Sequence, residues 1–213
     1  MEYDKLVEKI MQGFKEKTYL DASSIPNIDL YMDQVTTFMD DHLELFKRSE
    51  DDKTLTKTMI NNYSKFHLLP PTNKKKYSKD HILLLLFIFY LKPSLSIPDI
   101  GSTLKPIQEL LLDKNFPVSL EEYFDTLSRT QAEHFDSFSQ QVINTVKLSQ
   151  ELFNDLSNKD NELLSVISII YMLSLQASMQ KSIATHLIDN YLKPLEQAKE
   201  KESKKEKPKK AHK

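Results

Sequence analysis

Seven lysines in a stretch of sequence that contains no carboxylate are the residues with the clearest chemical meaning. They lie within residues 53–79, a window that contains no Asp or Glu: Lys53, Lys57, Lys65, Lys74, Lys75, Lys76 and Lys79. The whole chain of 213 residues has a formal net charge of −2, so this positive window belongs to an otherwise acidic protein. Such an asymmetry is typical of a surface that binds a polyanion, and it indicates nucleic acid first.

The composition argues against several classes of enzyme. The chain has two glycines, Gly13 and Gly101, whereas phosphate-binding loops, dinucleotide-binding loops and nucleophile elbows each need glycine at tight backbone turns. It has no cysteine, which excludes disulfides and thiolate metal sites. The six histidines lack the spacing of a zinc-binding motif. We expect no enzymatic activity, no cofactor and no bound metal.

Two apolar runs bear on whether the chain crosses a membrane. Residues 82–91 form the longest unbroken run, and residues 163–175 form a second run that serines interrupt. A membrane-spanning helix needs about 20 apolar residues, so both runs are predicted to be buried core helices. Residues 1–17 are charged throughout and do not resemble a signal sequence. The expectation is a soluble cytoplasmic protein with no membrane partner.

Apolar residues recur at helical spacing along most of the chain, which predicts an all-α fold. Ser96 is expected to cap a helix that has Pro98 in its first turn, and Pro194 is expected to end the last long helix. Residues 198–213 are rich in lysine without apolar periodicity and are predicted to be disordered. The predicted helices are 4–17, 30–47, 54–67, 79–92, 105–114, 119–130, 131–156 and 160–193.

The helix predicted at 54–67 has two different faces. Its apolar residues lie on one arc, and the opposite arc is polar, basic and free of carboxylates, with Thr54, Lys57, Thr58, Asn61, Ser64 and Lys65. On a recognition helix, Asn61 would pair with adenine and Lys57 with guanine, while Lys65 and the lysines at 74–76 would contact phosphates. The alternative is a solvated helix face next to a basic loop.

Three motifs around this helix resemble the DNA-binding half of the MerR family. They read NNYSKFHLLPP, KKKYSKDHILLLLFI and LSIPDI, where the family has "RYYekiGLLpP", a wing ending in "gYRxY" followed by "eadLxxLxfI", and "GfSLxEI". The resemblance covers residues 54–104. The chain looks closer still to an uncharacterised family of Gram-positive proteins whose N-terminal half is MerR-like.

The resemblance implies roles for individual residues. Asn61 stands where the family has a phosphate-binding Arg, and Tyr63 matches the second Tyr of that motif. Lys75 lies where the wing Arg would be, and Tyr77 where its closing Tyr would be. The family usually begins with this domain, whereas here about thirty residues precede it, and the gap between the two helices of the helix-turn-helix is about twice the usual length.

These observations lead to a four-part organisation: an N-terminal helix and linker (1–28), a winged, MerR-like helix-turn-helix domain (29–104), a C-terminal helical bundle (105–197) and a Lys-rich tail (198–213). Helix 54–67 and wing 72–78 would bind double-stranded operator DNA. MerR-like regulators dimerise through C-terminal helices, so the resemblance favours a homodimer over docking within the chain, with a seam comprising Met179, Ile183, Leu187 and Tyr191. The C-terminal half is also a candidate to hold a small apolar effector.

The resulting hypothesis is a dimeric transcriptional regulator. The alternative is a helical protein-interaction module in which a degenerate helix-turn-helix serves only as a scaffold. The replaced Arg and Tyr and the acidic remainder of the chain motivate this second interpretation.

Overall fold

One helix, Lys79–Leu91, lies at the centre of the molecule. In the computed structural model, which describes residues 2–17, 20–49, 51–153 and 155–206, Ile82 and each leucine from Leu83 to Leu86 are fully buried. This helix is almost entirely apolar, so it is stable only when other elements cover it on all sides. The sequence prediction that residues 82–91 form a core helix is confirmed.

The protein is all-α apart from one two-stranded antiparallel sheet, as the sequence predicted. The strands are short, and their register pairs Leu30 with Tyr77 and Tyr31 with Lys76. The elements are α1 (Glu2–Lys17), β1 (Leu30–Tyr31), α2 (Met32–His42), α3 (Lys57–Lys65), β2 (Lys76–Tyr77), α4 (Lys79–Leu91), α5 (Ile97–Leu111), α6 (Leu120–Glu151), α7 (Asn158–Leu187), a π-helical turn (Ile188–Leu192) and α8 (Lys193–Glu206).

Hydroxyl side chains fix the starts of several helices. Thr56 Oγ1 accepts the backbone N–H of Met59 at the start of α3, with an N···O distance of 3.2 Å. Ser96 accepts the N–H of Asp99 in the same way, which confirms its predicted capping role at α5. Each such cap satisfies one of the donors that a helix start leaves unpaired.

The main core joins the two halves of the chain. It contains residues of α2, α3, α4 and α5 together with Leu120 and Phe124 of α6 and Ile188 of the π-helical turn. The domain boundary expected at 104/105 falls inside α5, where Leu104 is fully buried. A second, smaller cluster lies where α1 meets α6 and consists of Met11, Phe135 and Val142, with Leu173 of α7 packed against it.

Two predicted breaks between helices do not occur. No break occurs at 130/131, since α6 is continuous from Leu120 to Glu151. Pro194 does not end the last helix, because the π-helical turn leads into α8. In that turn the N–H of Lys193 bonds to the carbonyl of Ile188, which widens the helix just before the residue that has no N–H to donate.

The tail prediction is corrected in part. Residues 198–206 belong to α8 and are helical, whereas residues 207–213 lie outside the described part of the chain. Three ion pairs connect the last turns of the chain with α5: Lys193 with Asp99 at 3.0 Å, Lys105 with Glu196 at 2.5 Å and Lys199 with Glu109 at 2.8 Å. The tail therefore starts as a helix held to α5 by charge.

The first half of α7 is not buried, contrary to the sequence prediction. Leu163, Ile167, Ile170 and Tyr171 are each more than half exposed, because α6 covers only the side that carries Ser165 and Ile169. Within the described residues, Lys159–Lys199 is also the one helical stretch long and apolar enough to cross a membrane, and 11% of its most apolar window is buried. That finding rests on length and composition alone.

A buried histidine connects α4 with the loop that follows α3. His81 is 7% exposed; its Nδ1 accepts the N–H of Ser78, and its Nε2 lies 3.1 Å from the carbonyl oxygen of Pro70. Burial lowers the pKa of His81, although the carbonyl of Pro70 and the nearby carboxylates of Asp80 and Asp29 oppose this. The folded protein therefore holds this imidazole neutral.

This burial predicts a pH-dependent stability. As the pH falls through about 6.5, the unfolded chain takes up a proton at His81 before the folded chain does, so folding weakens by up to about 1.4 kcal/mol per pH unit. Urea titrations between pH 7.5 and 5.5 should show this slope for the wild type and a smaller slope for His81→Gln. The control is His134→Gln, which alters an exposed histidine. Equal slopes in wild type and His81→Gln would contradict the assignment.

Candidate nucleic-acid interface

The exposed face of α3 carries most of the residues of this helix that the sequence analysis expected to contact DNA. Lys57, Thr58, Asn61 and Lys65 are all exposed, while Ile60 on the opposite face is fully buried against the core. The face has no carboxylate of its own. Its amide, hydroxyl and ammonium groups are the types that hydrogen-bond to base edges and phosphates.

Thr54 does not belong to that face, contrary to the sequence prediction. The helix begins at Lys57 rather than Thr54, and Thr54 is 8% exposed. Both its backbone N–H and its Oγ1–H donate to Asp40 Oδ1, at 3.1 and 2.8 Å. Thr54 therefore anchors the segment before α3 and offers no exposed group for a ligand.

Asp40 positions the long connection between α2 and α3. Besides Thr54, its carboxylate meets the ammonium groups of Lys47 and Lys53, each at 3.5 Å. Partial burial opposes ionisation, but the hydrogen bonds from Thr54 and the two lysines together lower the pKa of Asp40 below its ordinary value. One carboxylate of α2 thus ties together both ends of the connection 43–56.

The end of α3 is fixed by a left-handed residue. His67 has φ 56°. Its N–H bonds to the carbonyl of Ser64, and the N–H of Leu68 bonds to the carbonyl of Tyr63 at 2.9 Å. This pair of bonds is the Schellman motif, in which glycine is the usual left-handed residue. It ends α3 without a proline and turns the chain into the core at Leu68.

The predicted wing is a tight hairpin turn. The N–H of Lys76 bonds to the carbonyl of Asn73 at 2.9 Å, and the two residues between them, Lys74 and Lys75, have φ of 50° and 60°. Two consecutive positive φ angles are what a type I′ turn requires, and Asn-Gly is its preferred pair. Here both positions are lysine, and both side chains are exposed at the tip.

Lysine at these two positions costs stability. A side chain with a Cβ disfavours the left-handed conformation by roughly 1 kcal/mol or more per residue. Backbone strain of this kind is common at ligand-binding sites, where a particular side chain is kept although its backbone conformation is unfavourable. The hairpin tip therefore holds two positive charges in a geometry that suits neither residue.

The two tyrosines that the resemblance assigned to the interface lie in the core. Tyr63 is 4% exposed and Tyr77 is 5% exposed, and burial raises the pKa of both hydroxyls. Tyr77 packs edge-on against His81, with ring centroids 5.6 Å apart. Both rings lie beneath the surface of the site, and neither is available to a ligand.

The seven lysines of the window differ in their partners. Three of them pair with carboxylates: Lys53 with Asp40, Lys57 with Asp33 and Lys79 with Glu121. The ammonium of Lys76 lies 5.2 Å from the centroid of the Tyr31 ring. Within the described part of the chain, Lys65, Lys74, Lys75 and Lys76 have no carboxylate partner. These four lysines are named the free lysines below.

The charge of the window alone does not reveal these ion pairs. Asp33 lies in α2 and Glu121 in α6, outside the window and distant in sequence. A helical pattern shows which residues share a face of one helix but not which faces meet. The position of the charge on the surface was therefore decided by tertiary packing.

Two clefts lie beside α5. One, of about 690 Å³, lies between the end of α3 and α5 and includes the exposed ring of Phe66, which the sequence placed on the inward face. The other, of about 450 Å³, lies between α5 and α6 and is lined mainly by apolar residues, among them Leu110, Phe116 and Tyr123. Among the described residues, no three His, Asp or Glu side chains come close enough to hold a metal ion.

The part of the chain that contains α3 and the hairpin matches one known family model. Residues 20–127, about half of the chain, match the model described as "Domain of unknown function (DUF1836)". The chain belongs to this family. Its DUF1836 segment runs from the residues before β1 into α6, so it contains the free lysines and most of the main core, but not α1 or α7.

Neither of the other two comparisons found a relative. No curated protein matches the chain, and no solved structure matches it. The DUF1836 description assigns no activity, so the function must be inferred from the residues of this chain.

The bonds around Asp40 predict a specific loss of stability in this DUF1836 segment. Asp40→Asn should destabilise the protein by about 1–3 kcal/mol, because two donors of Thr54 and two ammonium groups lose a charged acceptor. The loss should begin to shrink below about pH 4, where the carboxylate takes up a proton in the unfolded chain, and should disappear as the pH falls through the lower pKa that Asp40 has in the folded protein. Urea unfolding followed by circular dichroism measures it. The neighbouring Asp41→Asn, at an exposed position, is the control and should change little.

The hairpin strain yields a second prediction. Replacing Lys74 by Asn and Lys75 by Gly introduces the preferred type I′ pair and should raise the free energy of unfolding by about 1–2 kcal/mol. The variant with Gln at both positions removes the same charges while keeping the strain, and it should leave stability nearly unchanged. If the Gln pair stabilises as much as Asn-Gly, charge repulsion and not backbone strain is responsible.

Proposed function

We propose that this DUF1836 protein is a DNA-binding transcriptional regulator that acts as a homodimer. The observation that carries the proposal is the set of free lysines around α3 and the strained hairpin tip. Phosphates attract unpaired ammonium groups and release condensed counterions on contact. The family resemblance to MerR-like wings and recognition helices, stated above from sequence, supports the same assignment.

The hairpin tip and the exposed face of α3 have different roles in this proposal. Lys74 and Lys75 project at the hairpin tip and would contact the sugar–phosphate backbone. Asn61, Thr58 and Lys57 on α3 would face base edges in the major groove. Because Lys57 is paired with Asp33, it must exchange that carboxylate for a DNA group, which reduces its net contribution to affinity.

The test is a salt-dependent binding measurement. Fluorescence anisotropy with DNA fragments from upstream of the protein's own gene should show binding that is tighter than to unrelated DNA and that weakens steeply as salt rises. The Gln pair at Lys74 and Lys75 should weaken binding about tenfold and reduce the log–log salt slope by about 2, since each phosphate contact contributes about 0.9.

Matched controls separate local contacts from net charge. The variant Lys5→Gln with Lys9→Gln removes two exposed charges from α1 and should bind as the wild type does. The Asn-Gly hairpin should bind as weakly as the Gln pair while being more stable. If the wild type shows no preference and no salt dependence at micromolar protein, the DNA-binding proposal is wrong.

Two observations favour a second candidate function. The exposed apolar residues of α7 are typical of a protein-interaction surface, and the Lys57–Asp33 pair partly neutralises the expected recognition face. In this alternative the chain is a helical interaction module and the α2–α3 unit is a scaffold. Charge reversal at Lys74 and Lys75 would then leave cellular function intact, whereas substitutions on α7 would abolish it.

The proposal includes a small apolar effector that binds the C-terminal half of the chain. The apolar cleft between α5 and α6 has a volume of about 450 Å³, which suits a small apolar molecule. It lies between the helix that follows the central α4 and the helix that leads to the C-terminal half. A ligand there would contact both.

A further inference from the structure

Nine large apolar residues on α7 and its continuation recur at every fourth position and remain exposed. They form one row, named here the α7 row: Leu163, Ile167, Tyr171, Leu175, Met179, Ile183, Leu187, Tyr191 and Leu195. Each is between 46% and 69% exposed. Isolated exposed apolar residues are ordinary on a protein surface, but exposed apolar residues on successive turns of one helix indicate a surface that another molecule covers.

The centre of this row lies on a bare section of helix. Every residue from 174 to 183 is exposed, so neither α6 nor α5 covers any side of it. At 1.5 Å per residue this section is about 15 Å long. The neighbouring section 126–134 of α6 also has no buried residue. A second helix can therefore approach α7 here without meeting the rest of the chain.

Small residues form a second row beside the α7 row. Ser174, Ser178 and Ser182 also recur at every fourth position, one residue before Leu175, Met179 and Ile183, and all three serines are exposed. The hydroxyl of Ser178 already donates to the carbonyl of Ser174 at 2.9 Å, so covering it leaves that donor satisfied. A ridge of large residues next to a groove of small ones is the pattern that interlocks with a copy of itself.

The row is symmetric about Met179. Four apolar residues lie on each side of it at equal spacings, and no charged residue occurs from 163 to 180. A two-fold interface brings the same patch of both chains together, so it requires a self-complementary surface. Interface cores are also depleted of charge. Both features fit a second copy of this chain.

We infer that α7 crosses α7 of a second copy in antiparallel orientation, with Met179 at the two-fold axis. Met179 then contacts Met179 of the other copy, and Ile183 lies next to Leu175 of the other copy. The ridge of each helix enters the serine groove of the other. This inference deepens the homodimerisation proposed above and does not depend on DNA binding.

The four-residue spacing determines the type of contact. A coiled coil requires an average apolar spacing of 3.5 residues, whereas a row at spacing 4 turns by about 40° per step around its helix. Two such rows meet over a few turns and then diverge, which gives a crossing near −50°. The central five members, from Tyr171 to Leu187, are those that the crossing covers.

The area reaches the minimum of a specific interface. If each member of the α7 row exposes roughly 100 Å², the central five supply about 500 Å² per chain, or about 1,000 Å² over both chains, which is about the smallest total expected of a specific interface, and the rest of the bare section adds to it. A bilayer is a less suitable partner for this helix, because its two ends pack on the same body. Ser165 Oγ–H donates to the carbonyl of Ser149 in α6, and Ile188 lies in the main core.

The absence of cysteine from the sequence makes a direct crosslinking experiment possible. Met179→Cys should form a disulfide-linked dimer rapidly under mild oxidation, because the two thiols meet at the axis. Ala177→Cys is the matched control: it is exposed on the same bare section but about 200° around the helix, and should crosslink at least tenfold more slowly. Sedimentation of the wild type should give a dimer, and Met179→Glu with Ile183→Glu should weaken association at least a hundredfold.

The outcomes separate the inference from the proposed function. A wild type that stays monomeric at protein concentrations up to about 50 µM, where a dimer with a micromolar dissociation constant is mostly formed, overturns both the dimer and the crossing. A dimer in which Ala177→Cys crosslinks as fast as Met179→Cys overturns the crossing and leaves the homodimer in place. A monomer that floats with phosphatidylcholine vesicles overturns the inference in favour of a lipid surface. DNA affinity of the hairpin variants is measured separately and tests the other part of the proposal.

Discussion

The burial of α4 is the constraint on which the rest of the structure depends. Its side chains are apolar almost all round, and Ile82, the four leucines that follow it and Ile88 are inaccessible to solvent. Burying one such side chain contributes about 1.5–3 kcal/mol, so the chain must place elements on every side of this helix. Helices α2, α3, α5 and α6 share one core with it, and the β hairpin packs at its start through Tyr77 and His81.

That arrangement positions the candidate interface. One face of α3 is held against the core by Ile60 and Tyr63, which leaves Asn61 and Lys65 pointing outward. Asp40 ties the long α2–α3 connection, and the pairing of Tyr31 with Lys76 holds the hairpin against the start of α2. The exposed lysines thus stand on rigid elements, and the strain at Lys74 and Lys75 is tolerated because the core and the hairpin bonds outweigh it.

The C-terminal half differs from the rest of the molecule because its long helix α7 is only partly covered. Helix α7 is tied to the body at both ends and bare between them, and its apolar residues at every fourth position remain uncovered. The ion pairs between α5 and the end of the chain are partly exposed, and such pairs contribute little to stability on their own. Within one chain, α7 and the turn that follows it are therefore held mainly by contacts with α6 and by Ile188 in the main core.

The sequence by itself determined the all-α class, the core position of 82–91, the cap at Ser96 and the carboxylate-free face of residues 57–65, because these follow from local periodicity and composition. Tertiary structure decided what periodicity cannot describe, namely which faces meet. It buried Thr54, Tyr63 and Tyr77, paired Lys57 with Asp33, carried the helix past Pro194 and left α7 exposed. Each of these depends on contacts between residues far apart in sequence, and no pattern within a single helix encodes them.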